Sequence, residues 1–115
     1  MKDDHLYLQH MRDAIDKIET YASVGRDTFM AASHWQDAVI RQLEIVGEAT
    51  KHLSDDLRSR YPDVPWRRIA GLRDVLIHNY MSVDVDAVWE VTQIGIPELK
   101  AQLLRILQDV DKEHL

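Results

Sequence analysis

Three side chains within eight residues, Arg73, His78 and Tyr80, concentrate more reactive chemistry than any other part of this chain. They sit in Gly71-Leu-Arg-Asp-Val-Leu-Ile-His-Asn-Tyr80. A histidine moves protons near neutral pH. An arginine forks onto a phosphate with two parallel hydrogen bonds. A tyrosine beside them offers a hydroxyl to donate or to modify. The first two are a minimal kit for cleaving a phosphodiester without a metal.

Helical geometry constrains how these groups meet. At about 100° per residue, Arg73 and Tyr80 fall on nearly one face, and Asp74 and His78 form the neighbouring stripe. Arg73 and His78 stand roughly 140° apart around such a helix. Either the helix ends near His78, or the long arginine reaches around it, or a second copy of the chain supplies the missing group. We favour a site completed across a dimer. Asp74 is placed to hydrogen-bond His78, fix its tautomer and favour its charged form. Asn79 is a candidate to support the turn or contact a ligand. On residue types alone, Arg73, Asp74 and His78 read equally well as a solvated polar face.

At 115 residues the chain is expected to form one domain, residues 1–115, with enough apolar content for a core. No apolar run approaches the ~18 residues of a membrane span, and the N-terminus lacks the apolar stretch of a signal peptide. There is no cysteine, hence no disulfide framework or thiolate metal site. The simplest expectation is a cytoplasmic protein. No cofactor or metal is called for: the histidines lack the His-Glu-x-x-His pattern, and no phosphate-cradling glycine loop or Gly-x-Ser-x-Gly elbow occurs.

The net charge of −6 argues against an ordinary nonspecific nucleic-acid binder. Its distribution is uneven. Residues 58 to 73 carry Arg58, Arg60, Arg67, Arg68 and Arg73 against only Asp63, a local balance of +4 leading into the reactive stretch.

The elements that must position this stretch read as helices throughout. Leu8, Met11, Ile15, Ile18 and Ala22 predict a first helix over 3–23, capped by Asp3 or Asp4. Gly25 would end it, or the short turn after it, in a left-handed conformation. Trp35, Val39, Leu43, Val46, Ala49 and Leu53 predict a long second helix over about 28–53. Gly47 inside it suggests close approach of another helix. Glu44 and Glu48 are read as a solvated face with Arg41 and His52 as neighbours. Ser54 is expected to cap a short turn ending before Pro62, and Asp63 to cap a third helix over 65–80. Ser82 or Asp84 would start the last helical region, which Gly95 interrupts and Pro97 kinks or restarts. Leu99, Leu103, Ile106 and Val110 carry its stripe to the end. Trp35, Trp66 and Trp89 are read as core. His5 and His10 are read as solvated. The fold class is all-α, an antiparallel bundle of four to five helices.

The segments Asp16-Lys-Ile-Glu-Thr-Tyr21, Gln36-Asp-Ala-Val-Ile-Arg-Gln-Leu-Glu-Ile-Val-Gly-Glu-Ala49, Tyr61-Pro-Asp-Val-Pro-Trp66 and Arg73-x4-His78-x-Tyr80 closely resemble the HepT toxins of the HEPN superfamily. The resemblance spans nearly the whole chain. It implies an all-helical homodimer and a toxin of a type VII toxin–antitoxin pair. It implies a metal-independent endoribonuclease whose composite interface site gathers Arg73 and His78 from both copies. It also implies a nucleotidyltransferase antitoxin of the MntA type that moves AMP from ATP onto the motif tyrosine, here Tyr80. The alternative is a non-catalytic helical module that binds nucleotides or proteins.

Overall fold

Asp3 stops the chain from fraying at its first helix: its carboxylate accepts from the Leu6 amide at 3.1 Å, and α1 runs Asp4–Ala22. The computed structural model describes residues 3–72 and 84–113. Among these the architecture is all-α, with no strand. Leu8, Met11, Ala14, Ile15 and Ile18 form the buried stripe of α1, as their spacing predicts. Asp4 has a different task. Its two oxygens accept from the backbone amide and hydroxyl of Ser54, at 2.7 and 2.6 Å, and so tie the start of α1 to the chain after α3.

The expected long second helix is two. α2 spans Arg26–Ala31 and α3 spans Ser33–Lys51, separated by Ala32 in an extended conformation (φ −132°, ψ 114°). The break has a tertiary cause. It lets Phe29 bury completely, 5.1 Å between ring centres from Trp89, while the Gln36 amide donates to the carbonyls of Phe29 and Met30. Gly25 precedes α2 with φ 91° and ψ 161°. Its φ is positive as expected, but the extended ψ puts it in a region open essentially to glycine alone.

Val39, Leu43, Val46 and Ala49 on α3, with Leu53 just beyond it, are buried. α1 and α3 pack against each other as the main helix pair. Ser54 then caps α4, Asp55–Arg60, by accepting from the Leu57 amide at 3.1 Å. α5, Trp66–Ala70, comes after the Tyr61–Pro65 connector. The continuous helix expected over 65–80 is interrupted: α5 stops at Gly71, whose amide donates back to the Arg67 carbonyl at 3.1 Å. Nor does Asp63 cap it. Its side chain accepts twice from Arg105, at 3.2 and 3.1 Å.

After residue 83, Asp84 accepts from the Ala87 amide and starts α6, Val85–Glu90. The chain then passes through a π-helical turn, Val91–Gly95, into α7, Ile96–Glu113, with Pro97 in its first turn. Helical residues precede it, so its missing amide leaves a carbonyl of the preceding turn without that donor. Ile96, Leu99, Leu103, Ile106, Leu107 and Val110 seal α7 onto the core. Trp66 is buried, whereas Trp35 and Trp89 are half-buried and packed against the core.

The far half of α7 clamps the connector. Arg60 bonds Glu113 at 2.6 Å, the Tyr61 hydroxyl donates to Asp109 at 2.7 Å, and Arg105 lies over the Tyr61 ring at 5.6 Å. His5, expected to be solvated, is instead half-buried and 3.0 Å from Asp111.

Candidate functional site

Arg73, Asp74, His78, Asn79 and Tyr80 lie outside the described residues. The structure shows the segments that flank them. On the entry side, two devices fix α5. The Trp66 indole Nε1 donates to the carbonyls of Arg58 and Tyr61, at 3.1 and 3.0 Å, pinning the first residue of α5 to the connector. At the other end, a Cβ placed on Gly47 would stand 3.2 Å from the Ile69 carbonyl oxygen and 3.3 Å from that of Ala70. Glycine at this point of α3 thus admits the last turn of α5 into direct backbone contact, the close approach its position suggested. Ile69 is buried between these anchors. The path into Arg73 therefore starts from a helix fixed at both ends.

The basic segment is less uniformly available than its residue count suggests. Arg58 is bonded to Asp55. Arg60 is engaged by Glu113 and lies 3.9 Å from Asp56. Arg67 and Arg68 remain: both are exposed on α5 and neither has a carboxylate within 4 Å among the described residues. Arg68 and Leu72, one turn apart, line a groove of about 560 Å³ whose other wall is the end of α6, the π-helical turn and the start of α7. That far wall carries Glu90, Glu98 and Ile94, the last 62% exposed. Neither the groove nor the π turn was legible in the residue pattern, since both arise from packing between segments distant in sequence.

A second, smaller cleft of about 240 Å³ opens between α1 and α3. Tyr7 and His52 stack there, with ring centres 4.8 Å apart and planes 15° from parallel, and His10 meets Tyr7 edge-on. His10 is exposed, as its place in the sequence suggested. Glu44 pairs with Arg41 at 3.9 Å as expected, but Glu48 pairs with Lys51 at 3.2 Å, not with His52. Among the described residues no group of three or more histidines, aspartates or glutamates is arranged to hold a metal ion. No helix among them is long and apolar enough to cross a membrane.

Tyr61 is electrostatically perturbed. Burial, and then the hydrogen bond to Asp109, push the Tyr61 hydroxyl above its ordinary value. This is a structural tyrosine of the connector clamp. Its neutral form is the one that donates to the carboxylate.

Comparison with known proteins covers most of the chain. Residues 11–106 match the family model described as ribonuclease HepT-like. A Methanocaldococcus jannaschii protein named a gamma-glutamylcyclotransferase and putative RNase is 42% identical over 112 residues, 96% of this chain. The chain spans half the length of that relative. A probable ribonuclease HepT from Thermococcus cleftensis is 39% identical over 108 residues, 92% of this chain and 98% of its own length. A putative RNase from Caldanaerobacter subterraneus is 38% identical over 109 residues, 94% of this chain and 97% of its own. No solved structure matches the chain.

Proposed function

The chain belongs to the HepT-like ribonuclease family, and on that premise we propose that it is a metal-independent endoribonuclease, the toxin of a type VII toxin–antitoxin pair. The observation that carries the reading is the family match over residues 11–106, which includes the whole Arg73-x4-His78-x-Tyr80 stretch. The rigid seating of α5 supports it, because acid–base chemistry needs its groups held in place.

The reaction derives from the residue chemistry. His78 takes the proton from a ribose 2′-hydroxyl, and the freed oxygen attacks the neighbouring phosphorus. The bond from phosphorus to the 5′-oxygen breaks, and that oxygen receives a proton. The products are a 2′,3′-cyclic phosphate and a 5′-hydroxyl. Arg73 holds the scissile phosphate and stabilises the charge that builds on its oxygens. Two copies of His78, one per protomer of a dimer, divide the base and acid roles. Asp74 orients His78, and Asn79 either hydrogen-bonds the RNA or supports the local backbone. RNA is the substrate because DNA lacks the attacking hydroxyl.

Tyr80 is the control point. A nucleotidyltransferase antitoxin of the MntA type would join the Tyr80 oxygen to the α-phosphorus of ATP and release pyrophosphate. The attached AMP would place a phosphate on the face that Arg73 uses and compete for its charge.

The test is RNA cleavage by purified protein in excess EDTA, wild type beside His78→Ala, with analysis of the product ends. Cleavage by wild type alone, leaving cyclic phosphate ends, is expected. Equal cleavage by His78→Ala removes that residue from the mechanism. No cleavage by folded, dimeric protein unmodified at Tyr80 favours a non-catalytic binding module.

A further inference from the structure

We propose that Arg67 and Arg68 dock the RNA strand, holding backbone phosphates beside the cleavage position while Arg73 holds the scissile one. The inference rests on the nuclease reading and adds the residues that supply substrate affinity.

It comes from sorting the cations of the basic segment that leads into Arg73 by what they already hold. A protein of net charge −6 repels RNA at long range, so binding needs a local concentration of uncommitted positive charge. Arg58 and Arg60 belong to the segment that looks basic in the sequence, but Asp55 and Glu113 already occupy them. Arg105 is taken by both oxygens of Asp63. A phosphate would have to displace a carboxylate at each. At Arg67 and Arg68 no carboxylate among the described residues stands in its way.

Placement favours the same two residues. They sit on α5, whose backbone is fixed by the Trp66 indole at one end and by the Gly47 contact at the other. Only Gly71 and Leu72 separate α5 and its C-terminal Ala70 from Arg73. Adjacent helical residues diverge by about 100°, so the two guanidiniums fan out over more than one phosphate of a single strand. Arg68 also lines the groove opposite Glu90 and Glu98. Those carboxylates repel phosphate from the far wall and confine the strand to the α5 side.

The experiment titrates binding of a single-stranded RNA, 2′-O-methylated throughout so that it cannot be cut, across a salt series. It compares wild type, Arg67→Gln/Arg68→Gln and Arg58→Gln/Arg60→Gln, each shown to be folded by circular dichroism. Each phosphate contact on a single strand contributes about 0.7 to the slope of log affinity against log salt, so the first double variant should flatten that slope by about 1.4. The second should flatten it by less than half as much. With cleavable RNA, the loss in the first variant should appear chiefly in KM. An unchanged slope, or a larger effect from Arg58 and Arg60, overturns the proposal. If wild type cleaves RNA and the slope is unchanged, only this inference fails. If wild type neither binds nor cleaves RNA, the nuclease reading fails with it.

Discussion

Gly47 of α3 and Ile69 of α5 are in backbone contact: a Cβ at position 47 would lie 3.2 Å from the Ile69 carbonyl oxygen. Alanine at 47 would gain about 1 kcal/mol of helix propensity over glycine. It would also press on two carbonyl oxygens, those of Ile69 and Ala70, which belong to a helix that Trp66 holds from the other side. Overpacking of this kind costs about 1–3 kcal/mol, and neither oxygen is the yielding end of a flexible side chain. Gly47→Ala should therefore lower the urea midpoint, and any cleavage activity should fall as α5 shifts. A midpoint equal to or above wild type would show that α5 yields freely.

Trp66→Phe tests the other anchor. The ring volume is largely kept, while the donor to the carbonyls of Arg58 and Tyr61 is lost. Each carbonyl keeps a backbone donor, the Tyr61 and Val64 amides at 3.2 Å, so the loss is that of a net hydrogen bond, about 0.5–1.5 kcal/mol. The substitution should lower stability by that order in chemical denaturation. It should also loosen the connector, read as faster amide exchange at residues 61–66. Unchanged exchange would mean that the Arg105 and Asp109 contacts hold the connector alone.

Much of this arrangement was legible from spacing. Leu8, Met11, Ile15 and Ile18, then Val39, Leu43, Val46 and Ala49, are buried because a 3.6-residue period put them on one face. Gly47 read correctly because a glycine inside a helical stripe has few other reasons to be there. The break at Ala32 was not legible, since Ala31 and Ala32 carry no turn chemistry and the cause lies in Phe29 packing on Trp89, 60 residues on. The break at Gly71 was signalled by its residue type but outweighed by the apolar pattern around it. The local charge of +4 misled for a related reason: Arg60 is taken by Glu113, 53 residues away, and no local count of charges finds that pair. The reactive stretch itself is readable as a motif, and its geometry lies outside the described residues.

Tyr61 makes stability fall at high pH. Its folded value is raised, by burial and then by Asp109, so the folded protein keeps the phenolic proton more tightly than the unfolded chain does. The stabilisation is present in full below the unfolded value of about 10 and is lost as pH rises through the folded value. Between about pH 9.5 and 11, the urea midpoint of wild type should drop more steeply than that of Tyr61→Phe. Parallel curves would remove Tyr61 as a source of alkaline sensitivity.

Tyr80→Phe separates chemistry from control. In the proposed mechanism His78 transfers protons and Arg73 binds phosphate, and the Tyr80 hydroxyl takes no part in bond breaking. Removing it should preserve most RNA cleavage. His78→Ala, losing a general acid–base group, should lose about 10²–10⁴-fold. Incubation with ATP and an MntA-type nucleotidyltransferase should then divide the two proteins. Wild type should gain AMP, detected by intact mass, and lose cleavage and RNA binding together, because the new phosphate occupies Arg73. Tyr80→Phe should gain no AMP and continue to cut. If Tyr80→Phe is silenced equally under the same conditions, the antitoxin acts by covering the site, and modification of Tyr80 is not the switch.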